Sequence, residues 1–415
     1  MQPSVIMKKL IQINTGVNIG STGRLAEDIG NVAMSSGMTS YIAYGRDHRH
    51  SQSNEIKIGN RLSVLSDVLM TRLFDRHGHG AYWATKAFLR KLDLIEPDVI
   101  HLHNIHGYYL NYPLLFKYIA ERDIPVIWSL HDCWCMTGHC SHFVRINCQK
   151  WMTGCFDCPL ITRYPNSWFA DASRRNYNEK KKLFNAVPRL IMAPTSEWLG
   201  GLLRKSFLGD KEIHVIPDGI DTTVFSPQIE KGGEIRKRLG LEGKFVILAT
   251  GTVWEDYKGI PEYRKLRKTL PSDYAIVFVG MSAKDIERHK DSCEGIIMQP
   301  RTESLAELAA YYSMADCVMS LSRMESFGLT PIEGYACGTP AIVNNATALP
   351  ELITEKTGFV VNSNDIDDIK AKVLLMKKQG KDYYSQACRD LAISQYSKEF
   401  AYGKYLNLYS RFIKG

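Results

Sequence analysis

At 415 residues, 45% of them hydrophobic, the chain has enough length and apolar content for two or three domains with sizeable cores. Its formal charge of +8 raises a nucleic-acid reading, but the cations are spread along the chain, with local groups at Lys180–Lys182, Arg236–Arg238 and Arg264–Lys268, and they lack the interleaved aromatics of a strand-binding groove. No uncharged apolar run reaches the eighteen or so residues that a spanning helix needs, and Leu10–Asn14 is too short and polar for the apolar part of an export signal, so a cytoplasmic protein is expected.

Apolar runs of four to eight residues alternate with helical patterns along the whole chain, the signature of parallel sheets built from βαβ units. Strands are predicted at 10–14, 41–44, 99–103, 126–130, 190–193 and 214–217 in the first half, and at 245–249, 275–279, 296–299, 315–321, 341–344 and 359–361 in the second. The polar stretch 226–243, rich in Glu, Lys, Arg and Gly, is the expected linker. The result is an α/β chain of two doubly wound domains, 1–225 and 226–395. Residues 396–415 carry Phe400, Tyr402, Tyr405, Leu408, Tyr409 and Phe412 at near-helical spacing and need a surface to cover. Segment 60–94 reads as a core-packing helix pair, with an interfacial helix lying on a lipid surface as the alternative.

Ligands of open parallel sheets sit outside the carboxyl ends of the strands, and the candidate motifs fall there. After the first strand, Thr15 to Arg24 is glycine-rich, with Gly20 and Gly23 where backbone can approach a ligand. The spacing is not G-x-G-x-x-G, and no acidic residue closes the next strand, so dinucleotide binding is disfavoured. His131-Asp132 closes the fourth strand, where a histidine can donate to a sugar oxygen. His101, His103 and His106 stand at and after the third strand and line a binding cleft or are structural. Thr250 to Gly259 follows the first strand of the second half and holds Thr252 and Lys258. Then comes Ser322 to Glu333, in which Glu325 and Glu333 stand eight positions apart around Phe327-Gly328-Leu329-Thr330-Pro331. Free N–H groups at Gly328, Leu329 and Thr330 would point at a phosphate on a helix N-terminus, while the two carboxylates accept from hydroxyl groups.

Six of the ten cysteines lie between Cys133 and Cys158, and Cys140, Cys148, Cys155 and Cys158 include a C-x2-C pair, half of a structural zinc site. The competing reading is that these are small buried apolar residues. Disulfides would need an oxidising compartment, which nothing else in the sequence supports.

The run from Glu325 to Glu333, closed by Gly338-Thr339-Pro340, resembles the E-x7-E motif of retaining GT-B glycosyltransferases of the family 4 type. The Cys-rich insertion at 133–168 and the run Gly107 to Leu115 look like the bacterial exopolysaccharide or colanic-acid-type subgroup. The resemblance implies two Rossmann-like domains facing a central cleft, with the last helix packing back on the N-terminal, acceptor-side domain. It implies retaining, metal-independent transfer of a hexose from a UDP- or GDP-sugar to a lipid-linked saccharide in exopolysaccharide, capsule or LPS synthesis. Peripheral contact with the inner face of the plasma membrane would go with such an acceptor. By the same resemblance Glu325 contacts the donor sugar, Glu333 holds the ribose, His131 lies near the donor sugar, and the Gly20–Gly23 loop sits beneath the diphosphate. Lys258 matches the family's phosphate-binding lysine, but Thr252 stands where the family places an arginine, so another cation, Arg323 or Arg24, is expected to compensate. The one Asp-x-Asp in the sequence, Asp365-Ile366-Asp367, lies outside the motifs named above, and no catalytic metal is expected. Two rival readings are a GT-B sugar phosphorylase and a zinc-knuckle nucleic-acid-binding protein.

Overall fold

A computed structural model describes residues 8–413. The chain forms two compact units, one from residues up to Pro217 together with those from Tyr402 on, the other from Asp218–Ala401.

The first unit is built on seven parallel strands, β1 Lys9–Asn14, β2 Thr39–Tyr44, β3 Asn54–Lys57, β4 Val99–Leu102, β5 Val126–Leu130, β6 Leu190–Pro194 and β7 Glu212–Ile213, in the order β3-β2-β1-β4-β5-β6-β7. Every residue of β4, β5 and β6 is buried, which is why these strands read as unbroken apolar runs rather than alternating ones. Helices α1 Gly20–Ser35, α2 Arg61–Phe74 and α3 Tyr82–Ile95 precede β4. The strand order reverses between β1 and β4, so the loops after these two strands flank the point where doubly wound sheets take ligands.

The helix Lys398–Ile413 contributes its aromatic face to this unit from Tyr402 onward. Tyr409 Oη lies 2.6 Å from His101 Nδ1, and His101 Nε2 lies 2.7 Å from Ser129 Oγ, which is 2.6 Å from Tyr405 Oη. All four side chains are buried, so the network satisfies polar groups that would otherwise be costly inside the core. His101, expected to line a binding cleft or to be structural, is therefore an internal strut. His103 is one too, paired through Nε2 with Gln12 Oε1 at 3.0 Å.

The second unit has six parallel strands, β8 Phe245–Thr250, β9 Tyr274–Met281, β10 Ile296–Pro300, β11 Cys317–Ser320, β12 Ala341–Asn344 and β13 Gly358–Val361, ordered β10-β9-β8-β11-β12-β13. Its switch point lies between β8 and β11.

The fold departs from the sequence reading in four places. Strand β3 was not predicted, because Asn54-Glu55-Ile56-Lys57 is a sheet-edge strand with one buried residue, Ile56. The strand expected at 214–217 is not formed, the edge strand β7 ending just before it at Ile213, although the His214 and Ile216 N–H groups still donate to the Met192 and Pro194 carbonyls at 2.9 and 3.0 Å. Stretch 226–243 is no linker. It forms the helix Ile229–Arg238, in which a Cβ on Gly232 would come within 3.0 Å of Met314 N and Arg236 pairs with Asp316 at 2.7 Å. The charges that suggested a linker are largely its solvated face. Lastly, α2 and α3 do form a helix pair, but α2 keeps its leucines out of the core, as described below. Among the described residues no helix is long and apolar enough to cross a membrane.

Candidate active site

In the second unit the loops after β8 and β11 come together at the switch point. The Arg323 N–H donates to the Tyr257 carbonyl at 2.8 Å, joining the two loops through their backbones. Lys258 closes a 3-10 turn, Asp256–Lys258, ended by Gly259 at φ 88°. A Cβ at Gly259 would lie 2.5 Å from Leu321 Cβ, so glycine is needed both for the turn and for the close approach of the β11 loop. This packing places Lys258 Nζ 2.5 Å from Glu325 Oε1, each side chain about one-quarter exposed (25% and 24%). Glu325 is fixed from behind, its N–H donating to Thr347 Oγ1 at 2.9 Å and its carbonyl accepting from the Ala348 N–H at 3.3 Å.

Three residues on, Gly328 adopts φ 117° and opens the helix Leu329–Ala336 without a side-chain cap. The first-turn N–H groups are thus left for an external acceptor. A Cβ at Gly328 would meet Leu349 Cδ2 at 2.9 Å and Leu352 Cδ1 at 3.0 Å, which gives this glycine a second, steric reason. Phe327 is buried, its ring 5.9 Å from that of Tyr396, and anchors the turn. Within the helix, Glu333 is 9% exposed and its Oε2 accepts from Tyr312 Oη at 2.6 Å. Since Tyr312 gives its proton to Glu333, the 2.8 Å contact between Thr250 Oγ1 and Tyr312 Oη has Thr250 as donor. Burial first, and then the Glu333 charge, raise the Tyr312 phenol well above its ordinary range, so it stays a donor. Tyr312 and Thr347 were not singled out from the sequence, since a tyrosine inside a helical pattern reads as core until its hydroxyl partner is known.

The loop after β8 exposes Thr252. Arg323 pairs with Glu262, and Arg24 donates through Nε to the Gly20 carbonyl at 3.1 Å. Arg301, at the end of β10, reaches the Thr252 carbonyl through Nη2 at 3.4 Å.

In the first unit, the loop after β1 is tied to the loop after β4, with Thr15 Oγ1 donating to the Asn104 and His106 carbonyls at 2.9 and 3.0 Å. Gly20, at φ 68°, opens α1 with no side-chain cap, and nothing lies within 4 Å of where its Cβ would be. Gly23 is different, since a Cβ there would come within 3.3 Å of the Gly16 carbonyl, so it lets α1 pack on its own loop. After β5, His131 is partly exposed and its ring stacks on His103 at 6.1 Å. Asp132 pairs with His106 Nε2 at 2.8 Å, while His106 Nδ1 lies 3.0 Å from Tyr164 Oη. Burial raises the Asp132 carboxyl, but the charge and hydrogen bond of His106 outweigh it and hold the group well below the usual carboxylate range.

The cysteine-rich segment does not fit the expected zinc site. Among the described residues no group of three or more His, Cys, Asp or Glu side chains is placed to hold a metal ion. Cys155 Sγ accepts from the Gly138 N–H at 3.2 Å. Cys140 hydrogen-bonds to Cys158, which pulls Cys158 down to about 7 and pushes Cys140 far up. The segment is ordered by other contacts. Lys180 Nζ donates to the Trp134 and Thr137 carbonyls at 2.7 and 3.0 Å, His139 pairs with Asp75 at 2.5 Å, and Phe143 stacks on Trp151 at 4.8 Å.

Two parallel-sheet Rossmann-like units, the second with an uncapped helix N-terminus flanked by Lys258, Glu325 and Glu333, define the GT-B glycosyltransferase class. Residues 39–224 match the family model described as Glycosyltransferase Family 4, and residues 233–390 match that described as Glycosyl transferases group 1. The chain is 22% identical over 378 residues to a protein named as the colanic acid biosynthesis glycosyl transferase WcaC of Escherichia coli (strain K12), covering 86% of this chain and 88% of that one. It is 25% identical over 360 residues to a 41.2 kDa protein from the cps region of Klebsiella pneumoniae, covering 82% and 87%. Among solved structures, Anabaena Alr3699/HepE in complex with UDP superposes with a TM-score of 0.69 at 13% identity, covering 98% of this chain and all of that one, a likeness of fold. The chain belongs to the family 4-type GT-B glycosyltransferases, in the group of colanic acid, capsule and other exopolysaccharide enzymes.

Proposed function

We propose that the protein is a retaining, metal-independent hexosyltransferase that moves a sugar from a nucleoside diphosphate to a lipid-linked saccharide. The observation that carries this reading is the Lys258–Glu325 pair at 2.5 Å beside the uncapped helix start that also bears Glu333. The leaving diphosphate takes Lys258 and the N–H groups of Gly328 to Thr330, of which the N–H groups are held in place by the helix before the reaction. Once Lys258 turns to the diphosphate, Glu325 is free to accept from hydroxyls of the donor sugar, and Glu333 accepts from the ribose. Arg301 supplies the second cation where Thr252 replaces the family's arginine. The acceptor attacks on the face from which the diphosphate departs, and a diphosphate oxygen takes the acceptor proton, so no side-chain base is needed. In the first domain the same reading gives His131 and the first turn of α1, Gly20–Gly23, to the substrates.

The test begins with thermal shifts of the purified protein with UDP, GDP, ADP and CMP, since a ligand at a hundred times its Kd adds about 2.7 kcal/mol. One nucleoside diphosphate should stabilise the protein. NMR of the product made from the corresponding sugar nucleotide should then show the donor's anomeric configuration kept. A nucleotide panel with no shift would end the donor-site reading, and an inverted product would end the retaining one.

A further inference from the structure

The exposed face of α2 is not explained by the transfer chemistry. Leu62, Leu65, Leu69 and Leu73 follow one another at helical spacing and form one stripe, 74, 52, 45 and 36% exposed, while Asp67 and Thr71 on the other side are buried. The last residue of the helix, Phe74, is also 54% exposed. There the cysteine-rich segment joins it, because the Trp168 N–H donates to the Arg72 carbonyl at 2.7 Å and the Arg72 guanidinium lies 5.9 Å from the Trp168 ring centroid. Trp168 and its neighbour Phe169 are 59 and 83% exposed. At the start of α3, Trp83 is 74% exposed and packs edge-on against Tyr82 at 5.1 Å. Single exposed leucines are ordinary, but a leucine stripe accompanied by exposed aromatics on neighbouring segments marks an interaction surface.

The charges around this face select the partner. Arg61, Lys86, Arg90 and Lys91 are exposed on the same two helices, Lys86 Nζ sitting 5.5 Å from the Trp83 ring centroid. Of the acids there, Asp67 is buried and accepts the Gly78 and Gly80 N–H groups, and Asp93 pairs with Arg122 at 2.8 Å. A pocket of about 910 Å³ at the end of α2 has Met70, Phe74, Tyr82, Arg76, Arg175 and Lys182 in its lining. Glu179, its acid, is engaged by Arg76 at 2.8 Å and His79 at 3.1 Å. Apolar stripe, aromatic flanks and a cationic rim together are what an anionic lipid interface recognises.

We propose that α2, with Trp83, Trp168 and Phe169, is the face on which the protein docks to an anionic membrane, setting the cationic pocket at headgroup depth. The inference rests on the lipid-linked acceptor reading and gives it a physical surface. It is tested by flotation of the full chain with vesicles of phosphatidylcholine alone and of phosphatidylcholine and phosphatidylglycerol in equal parts. The protein floats with the anionic vesicles and not with the neutral ones. Leu65→Gln/Leu69→Gln weakens vesicle binding about tenfold or more, the order expected from two leucines withdrawn from the bilayer. Lys86→Gln/Arg90→Gln weakens it most at low salt. Because both pairs are exposed, the variants keep the wild-type melting temperature and nucleotide shift. Wild-type protein that stays down with anionic vesicles overturns the proposal, as does a leucine variant that floats like wild type. A dimer that dissociates in the leucine variant, without vesicle binding, also overturns it and gives the face to a second copy. Nucleotide shifts are read on the same preparation, so loss of flotation with shifts intact counts against docking alone, and flotation without shifts against the donor site alone.

Discussion

Glu333→Ala separates the structural from the ligand-binding work of one carboxylate. In the fold Glu333 Oε2 accepts from Tyr312 Oη at 2.6 Å, and removing it takes away one charge-assisted hydrogen bond, about 1.5–3 kcal/mol. The loss stays within that range because Tyr312 Oη retains Thr250 Oγ1 at 2.8 Å and is not left orphaned. At about 2–4 °C per kcal/mol for a domain of this size, the unliganded protein should melt roughly 3–12 °C lower. On the ligand side, losing one charged hydrogen bond to a ribose hydroxyl weakens nucleotide binding by about 10- to 150-fold. Glu333→Gln keeps an acceptor oxygen but not the charge, so it should fall between the two in both measurements. Calorimetric unfolding of the free protein and isothermal titration with the nucleoside diphosphate named by the panel read the two effects separately. If Glu333→Ala lowers the melting temperature yet binds nucleotide within about twofold of wild type, the carboxylate is only a strut for Tyr312 and its place on the ribose is wrong.

Other outcomes follow from the same geometry. Lys258→Met should weaken nucleoside diphosphate binding about tenfold or more and leave the monophosphate nearly unchanged, because the lysine is assigned to the diphosphate; titration of both nucleotides decides it. Gly328→Ala forces a Cβ to within 2.9 Å of Leu349 at φ 117°, and should cost about 1–3 kcal/mol by denaturant unfolding as well as spoiling the anion site. Burial alone would raise the Glu179 carboxyl, but His79 and Arg76 outweigh it and hold it near 2. Because burial lowers the His79 imidazole, the Arg76 part of this stabilisation is the part that is complete above the unfolded value near 4.5, and it is lost as pH falls from there toward 2. Glu179→Gln should be less stable than wild type at neutral pH and show a flatter loss of stability in acid, measured by urea unfolding across that range.

The parallel sheets were legible because the central strands are buried on both faces and so appear as unbroken apolar runs. β5 and β12 lie at their predicted positions, 126–130 and 341–344. Edge elements were not, since β3 offers one buried residue and the polar helix Ile229–Arg238 conceals how tightly Gly232 packs. Around the candidate site, glycines and charged residues were readable because few other residue types suit a positive φ or an anion. Lys258, Glu325 and Gly328 were marked in this way, and the fold brings them to one switch point. Tyr312, Thr347 and Arg301 were not readable, because their part in the site depends on partners distant in sequence or, for Arg301, on a carbonyl that any residue could supply. The cysteines misled for a related reason. Spacing along a chain suggests ligation, but only side-chain directions decide it, and those come from contacts such as Lys180 with the Trp134 carbonyl. The α2 leucines also show that helical periodicity reports an apolar face without saying what covers it.

The hydrogen bond from Tyr409 to His101 spans 308 positions, and it bears on how the chain reaches its native state. Strand β4 lays down an imidazole in the interior of the first sheet long before its tyrosine partner has been synthesised. Until translation has passed residue 409, that imidazole has Ser129 at Nε2 but no tyrosine at Nδ1, and the flank that the tyrosines cover is open. The intervening Asp218–Ala401 unit has its own core and can close in the meantime. The part of the protein made first is thus completed late, and loss of the Tyr402–Tyr409 segment would fall on the first domain rather than on the domain next to it in sequence.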